Sequence, residues 1–189
     1  MDSMHKLMLS EARIRKPKAT SILEVGCGRG AFLFAVADFF PQAQLTGIDI
    51  SSKAIAAARQ NRFPGFSNTS IAWHLASVDK MMFADGTYDI VFAGKTMHHW
   101  EDKQAGLSEI SRVLKDNGIL ILGDPFTDGP LKYPWFNSLN ETLDGGTFTS
   151  LAELKQMLVQ ANLHLIEKIF VPRTMRTLSV CVIGKNKKG

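Results

Sequence analysis

A glycine-rich bend between a short apolar run and a helix limits the folds open to this chain more than any other feature. Residues 22–50 read ILEVGCGRGAFLFAVADFFPQAQLTGIDI. Ile22 to Val25 form a buried-strand signal with one acid, Glu24, near its carboxyl end. Gly26, Gly28 and Gly30 alternate with Cys27 and Arg29. The backbone can therefore reverse sharply and approach a ligand with no Cβ atoms between. Ala31 to Phe40 continue as a helix, and Pro41 marks its end. Asp49 stands about twenty residues beyond the bend, at the tip of a second strand, where a carboxylate can meet ribose hydroxyls. The pattern predicts binding of an adenine nucleoside cofactor.

Strand and helix signals alternate from residue 21 to about residue 122, which predicts βαβ units and a parallel sheet. A helix is expected over Ser52–Asn61, followed by a turn at Phe63–Pro64–Gly65–Phe66 and a strand over Ser70–Leu75. Tyr88 to Ala93 (YDIVFA) is nearly continuous in apolar character, as for a strand covered on both faces. A helix over residues 102–115 places Leu107, Ile110, Val113 and Leu114 on one side. Asn117–Gly118 is expected to end it before a strand over Ile119–Leu122. Residues 125–148, rich in proline, glycine and aromatics, read as a lid or acceptor loop with Tyr133, Trp135 and Phe136 as pocket-wall candidates. Ser150 and Glu153 fit a capping box that opens a helix to about Asn162. Strands over Leu163–Val171 and Thr177–Gly184 close the chain. The reading is one domain over 1–189: an N-terminal helical segment (1–18), a cofactor-binding core (20–125), the loop, and a C-terminal helix and strands (149–186).

Length and composition fit that picture. A chain of 189 residues that is 45% hydrophobic and 21% charged can bury one ordinary core. Two cysteines are too few for a disulfide framework and point to a reducing, cytoplasmic setting. The first residues carry charges throughout and lack an apolar signal core. The longest apolar stretch, Ala31 to Phe40, includes Asp38 and is too short to span a bilayer. The net charge of +4 comes from basic residues gathered at the two ends, among them Arg13, Arg15, Lys185, Lys187 and Lys188. Solvated ends explain it without a nucleic acid partner. Oligomeric state is not legible.

Several separated blocks together resemble the class I S-adenosylmethionine-dependent methyltransferases, most of all the small-molecule group that includes the ubiquinone and menaquinone biosynthesis enzymes. Glu24-x-Gly26-x-Gly28-x-Gly30 resembles the first motif of that family, and GIDIS resembles its ribose-binding strand end. FADGTYDIVFAGKTMHHW is similar to the fourth-strand block, and ISRVLKDNGILILGDP to the family's VLKPGG segment. The likeness covers residues 20–125. It implies a Rossmann-like α/β fold: a seven-stranded, mostly parallel sheet with helices on both faces and the last strand antiparallel. It also implies S-adenosyl-L-methionine as cofactor and a small molecule as methyl acceptor.

The resemblance places cofactor contacts at Glu24, Gly26, Cys27, Gly28, Gly30, Asp49, Ile50, Ser77, Val78, Asp79 and Lys95. Glu24 would meet the amino group of the cofactor's methionine. The family's usual acid before the fourth strand is missing, so either Ser77 or Asp79 would serve the adenine, with the Val78 N–H beside it. Lys95, His98 and His99 cluster after the fourth strand next to Trp100, and the two histidines are the candidate catalytic residues. Adjacent histidines with no acid or cysteine cluster do not make a metal site. Gly26-x-Gly28-x-x-Ala31 also satisfies the dinucleotide fingerprint, so an NAD(P)-dependent oxidoreductase is the rival reading. A non-catalytic cofactor-binding protein is another.

Overall fold

The computed structural model describes residues 1–61, 71–127, 145–172 and 178–186. Its strands are β1 (Ser21–Val25), β2 (Gln44–Asp49), β3 (Ile71–Leu75), β4 (Tyr88–Gly94), β5 (Leu114–Pro125), β6 (Leu163–Phe170) and β7 (Leu178–Lys185). They form one sheet in the order β3-β2-β1-β4-β5-β7-β6. The first five run parallel. β7 alone runs against its neighbours, pairing antiparallel with both β5 and β6. The Rossmann-like, seven-stranded sheet with an antiparallel last strand is thus the fold predicted from the sequence.

Among the described residues five α-helices cover the sheet: α1 (Ser3–Arg15), α2 (Ala31–Phe39), α3 (Ser52–Gln60), α4 (Lys103–Val113) and α5 (Leu151–Gln160). Each has a local reason to begin where it does. Side chains of Asp2, Ser51, Asp102 and Ser150 accept a backbone N–H from the first turn of α1, α3, α4 and α5. Ser150 and Glu153 complete a reciprocal capping box. Gly30, left-handed at φ 84°, opens α2 instead.

Alternation along the central strands feeds two apolar layers. Ile22, Ile90, Phe92, Ile119 and Ile121 face the layer built with α1 and α2, where Met4, Met8, Phe32 and Leu33 are buried. Leu23, Val91, Leu120 and Leu122 face the layer of α4 and α5, which supplies Leu107, Ile110, Leu154 and Leu158. Burying both faces explains why β4 and β5 read as apolar runs.

One boundary differs from the sequence expectation. The fourth helix ends at Val113 and β5 begins at Leu114, so Asn117–Gly118 lies inside the strand rather than closing a helix. Tyr88 pairs with Leu114 but Ile90 pairs with Ile119, so Lys115–Gly118 bulge out of register. Pairing with β4 outweighs the local turn signal. The turn at 63–66, the aromatics Tyr133, Trp135 and Phe136, and the residues Ser70, Thr177, Lys187 and Lys188 lie outside the described residues. At the borders of the 128–144 segment, Phe126 and Thr149 form a bridge and the Thr127 N–H reaches Thr149 O at 3.1 Å.

Among the described residues no helix is long and apolar enough to cross a membrane.

Candidate active site

The strand order reverses at β1. The chain steps outward from β1 to β2 and β3, then returns to place β4 on the other side of β1. In an open α/β sheet that reversal leaves a crevice beyond the carboxyl ends of the strands. A cleft of about 570 Å³ lies there, within the ordinary range for small-molecule sites. Gly26, Asp49, Ile50, Ser77, Val78, Asp79, Lys95 and His99 all line it. Four separate strand ends therefore bring eight of the predicted site residues together.

The bend after β1 is tied down on both sides. The Cys27 N–H bonds Ile48 O at 2.9 Å, and Gly30 N–H bonds Cys27 O at 2.9 Å. Gly26, Gly28 and Gly30 all have positive φ, at 68°, 52° and 84°. Their surroundings differ. A Cβ on Gly26 would stand 2.3 Å from Thr96 Oγ1, and one on Gly30 would stand 2.4 Å from the Trp73 ring. A Cβ on Gly28 would meet nothing within 4 Å. The outer glycines are bare because protein fills the space, whereas Gly28 is bare toward open space.

Asp49, at the end of β2, latches the bend to the next helix. Its Oδ2 accepts the Gly28 N–H at 2.8 Å and its Oδ1 accepts the Ser51 N–H at 2.8 Å. Each oxygen keeps a second lone pair for a ligand hydroxyl. Ile50 follows with 78% of its surface exposed, an apolar side chain on the cleft wall suited to a flat ring. Cys27 is buried, and burial raises its thiol pKa, with the charges of Glu24 and Asp49 adding to the effect. Its sulfur lies against Gly47, where a Cβ would be 3.0 Å away, so it packs behind the bend.

Glu24 is buried at 5% exposure, and its Oε2 has no hydrogen-bond partner among the described residues. Burial, reinforced by the charge of Asp49, pushes its carboxyl well above the usual carboxylate range. A buried acceptor with nothing to accept is costly unless a ligand donor completes it. Glu24 is not among the cleft-lining residues, but it stands on β1 two positions before Gly26, and its unmet acceptor fits a ligand ammonium group. The residues present thus suit an aminoacyl nucleoside.

The two histidines separate. His99 is exposed and lines the cleft. His98 is buried at 4% and is not among the cleft-lining residues. Its backbone N–H and its Nδ1–H donate to the two oxygens of Asp124, at 2.9 and 2.7 Å. Asp124 is fully buried, and burial raises its pKa against the opposing pull of His98. Lys95 lines the cleft and pairs with Asp2 at 2.7 Å.

Several site residues carried no sequence signal. Thr96 closes over Gly26 and accepts a 3.3 Å bond from Trp100 Nε1. Trp73 sits on both Gly30 and Gly47. Asp124, at the end of β5, is a partner that only the tertiary structure reveals. The loop carrying Ser77–Asp79 leads into a stretch stitched to α4: Arg112 donates to Phe83 O at 2.7 Å and Met81 O at 3.0 Å, and Glu109 accepts the Met81 N–H at 2.9 Å. Among the described residues no group of three or more His, Cys, Asp and Glu is placed to hold a metal ion.

Comparison with known proteins agrees with this geometry. The malonyl-[acyl-carrier protein] O-methyltransferase of Legionella pneumophila is 32% identical over 143 residues, covering 73% of this chain and 48% of that protein. The demethylmenaquinone methyltransferase of Chlorobaculum parvum is 35% identical over 111 residues, covering 59% of this chain and 42% of that protein. The chain thus spans less than half the length of either relative. The plantazolicin methyltransferase BpumL, solved in complex with SAH, shares the fold at a TM-score of 0.73 and 18% identity, covering 98% of this chain and 83% of that one. A family profile described as a methyltransferase domain matches residues 16–168, and this chain belongs to that methyltransferase family.

Proposed function

We propose that this chain transfers a methyl group from S-adenosyl-L-methionine to a small-molecule acceptor by in-line displacement. The observation that carries this reading is the orphaned, buried Glu24 oxygen on β1, within electrostatic reach of the Asp49 carboxylate that holds the Gly28 N–H of the bend. When bound, the cofactor supplies an electrophilic methyl on a positively charged sulfur. Glu24 holds the ammonium of its methionine part, Asp49 holds the ribose, and Ile50 with Ser77, Val78 and Asp79 encloses the adenine. Gly26, Gly28 and Gly30 let the backbone come close, and Cys27 packs the bend from behind.

On the other side of the cleft, Lys95, Thr96 and His99 form the acceptor wall. Holding the acceptor in line and excluding water is the main task of these residues, because orientation alone lowers such barriers by roughly 7–11 kcal/mol. His99 contacts the acceptor. His98, anchored on Asp124, supports the turn that presents it. The names of the two curated relatives, one a demethylmenaquinone and one a malonyl-carrier methyltransferase, favour a small acyl or ring acceptor over nucleic acid. Family membership leaves the NAD(P) reading without support. Both cysteines are buried, in keeping with a reducing cytoplasm.

Titration calorimetry with S-adenosylhomocysteine tests the reading directly. Saturable heat is expected, with no comparable response to NAD or NADP. No heat at millimolar ligand overturns it.

A further inference from the structure

Basic residues from the two ends of the sequence meet at one pole of the fold, opposite the cleft. Arg15 and Lys16 close α1, whose cap at the other end, Asp2, stands at the cleft rim. Lys185 ends β7, which is antiparallel to β5 and so leaves the sheet where β5 enters it. A second cavity, of about 520 Å³, lies between them. Its walls are the end of α1, the bulge at the start of β5, the first residues of β6 and the last of β7.

The charges in these walls do not balance. Arg15, Lys16 and Lys185 line the cavity against one carboxylate, Asp116. Arg15 is already held by Glu11 at 3.2 Å and by Glu167. The Lys16 side chain has no ion-pair partner among the described residues. Lys185 is the inner cation, with only 7% of its side chain exposed, yet its Nζ stands 3.8 Å from Asp116 Oδ1. That is beyond hydrogen-bond distance, and the Asp116 side chain is 67% exposed. The ammonium donates to Leu114 O at 2.6 Å, which leaves two of its three N–H groups without an acceptor among the described residues. A recessed ammonium so thinly compensated is costly unless an anion completes it.

Uncharged polar groups surround that cation. The Lys115–Gly118 bulge sets Asn117 on the wall beside Asp116, in the manner of bulges that re-aim side chains next to binding sites. His164 pairs with Gly184 across β6 and β7, and a Cβ on Gly184 would stand 2.7 Å from its ring. The bare strand therefore lets the imidazole lie down against it. A 2.7 Å bond between His164 Nδ1 and Asn186 Oδ1 fixes the rotation of the ring. Ile119 and Ile166 supply an apolar portion of the lining.

We infer that this far-pole cavity binds a small organic phosphate, its charged head between Lys185 and Lys16 and its body over Ile119 and Ile166. Two cations without full partners match a doubly charged head. A phosphate monoester carries nearly two negative charges near pH 7, and its three terminal oxygens can accept from donors on several walls at once. A carboxylate brings one charge and two oxygens and leaves one lysine uncompensated. The recess of Lys185 favours a small ligand over a flat polyanionic surface. No residue lines both this cavity and the cofactor cleft, so the site is separate from the function proposed above.

The test titrates the ¹⁵N-labelled full chain with inorganic phosphate, glycerol 3-phosphate and succinate at fixed ionic strength, which holds general screening constant. Saturable shifts are expected at the Asn117, Gly184 and Asn186 amides and at the His164 ring. The dissociation constant for glycerol 3-phosphate should be about 1 mM or tighter, with succinate at least about tenfold weaker. Lys185→Gln should weaken phosphate binding at least about tenfold. Lys16→Gln, a change at the surface that spares the sheet, should weaken it about threefold. Affinity for S-adenosylhomocysteine should be the same in all three proteins. Shifts that never saturate, shifts confined to Ser77–Asp79 in the cleft, equal affinity for succinate, or unchanged phosphate affinity in both variants overturn the inference.

Discussion

His98 and Asp124 are joined by two hydrogen bonds, one from the backbone N–H and one from Nδ1, inside a region from which water is excluded. The same histidine offers its carbonyl to the Thr147 N–H at 2.9 Å, and a Cβ on Gly146 would strike its ring at 2.6 Å. One buried pair thus fastens the end of β5, the turn after β4 and the chain entering α5. Asp124→Ala leaves two buried donors without an acceptor and should cost at least about 2 kcal/mol of stability. Urea unfolding measures this, and an unchanged midpoint would remove the pair from the framework of the site.

Glu24 links stability to pH. Its folded pKa is raised by burial and by Asp49, so the folded state favours the protonated form. That contribution is complete below the ordinary carboxylate value and is lost as pH rises through the raised folded value. Ligand-free Glu24→Gln, neutral throughout, should melt above the parent protein on the alkaline side of that window. Its affinity for S-adenosylhomocysteine should fall at least about tenfold, because an amide does not balance the ligand's ammonium. Melting curves across the pH range, with and without ligand, check both effects; coincident curves for the two proteins contradict the assignment.

The three glycines of the bend should respond differently to alanine. Gly28→Ala carries a left-handed penalty of about 1–2 kcal/mol and meets no protein atom within 4 Å. It should fold and lose ligand affinity. Gly26→Ala and Gly30→Ala add a collision with Thr96 or Trp73 and should be much less stable. Normal ligand binding by Gly28→Ala would show that the open space beside it is not where the cofactor lies.

Asp49→Ala removes a prospective ribose acceptor and the latch on Gly28 and Ser51. Cofactor affinity should weaken by roughly 1–3 kcal/mol, read by calorimetry. Equal affinity in the two proteins would confine Asp49 to a structural role.

Much of this was legible in the sequence, and for identifiable reasons. The glycine bend, the strand-end acid at Asp49 and the apolar run of β4 are local signals: each needs only a few consecutive residues to state its geometry. Other features depend on partners far along the chain. Asp124 meets His98 across 26 positions, and Lys95 meets Asp2 across 93. No periodicity announces either. Asn117–Gly118 shows the opposite case, a strong local turn signal absorbed as a bulge because β4 supplies a pairing edge. Adjacent histidines looked equivalent in sequence, yet one is buried on a carboxylate while the other lines the cleft.

The reversed direction of β7 has a practical consequence. Because that strand runs away from the cleft, Asn186 emerges at the far end of the sheet, beside Asn162, whereas Asp2 sits at the cleft rim. A surface linkage at Asn186 leaves the mouth unobstructed; one at Asp2 crowds it. Immobilised protein should therefore capture ligand normally when tethered at Asn186 and poorly when tethered at Asp2.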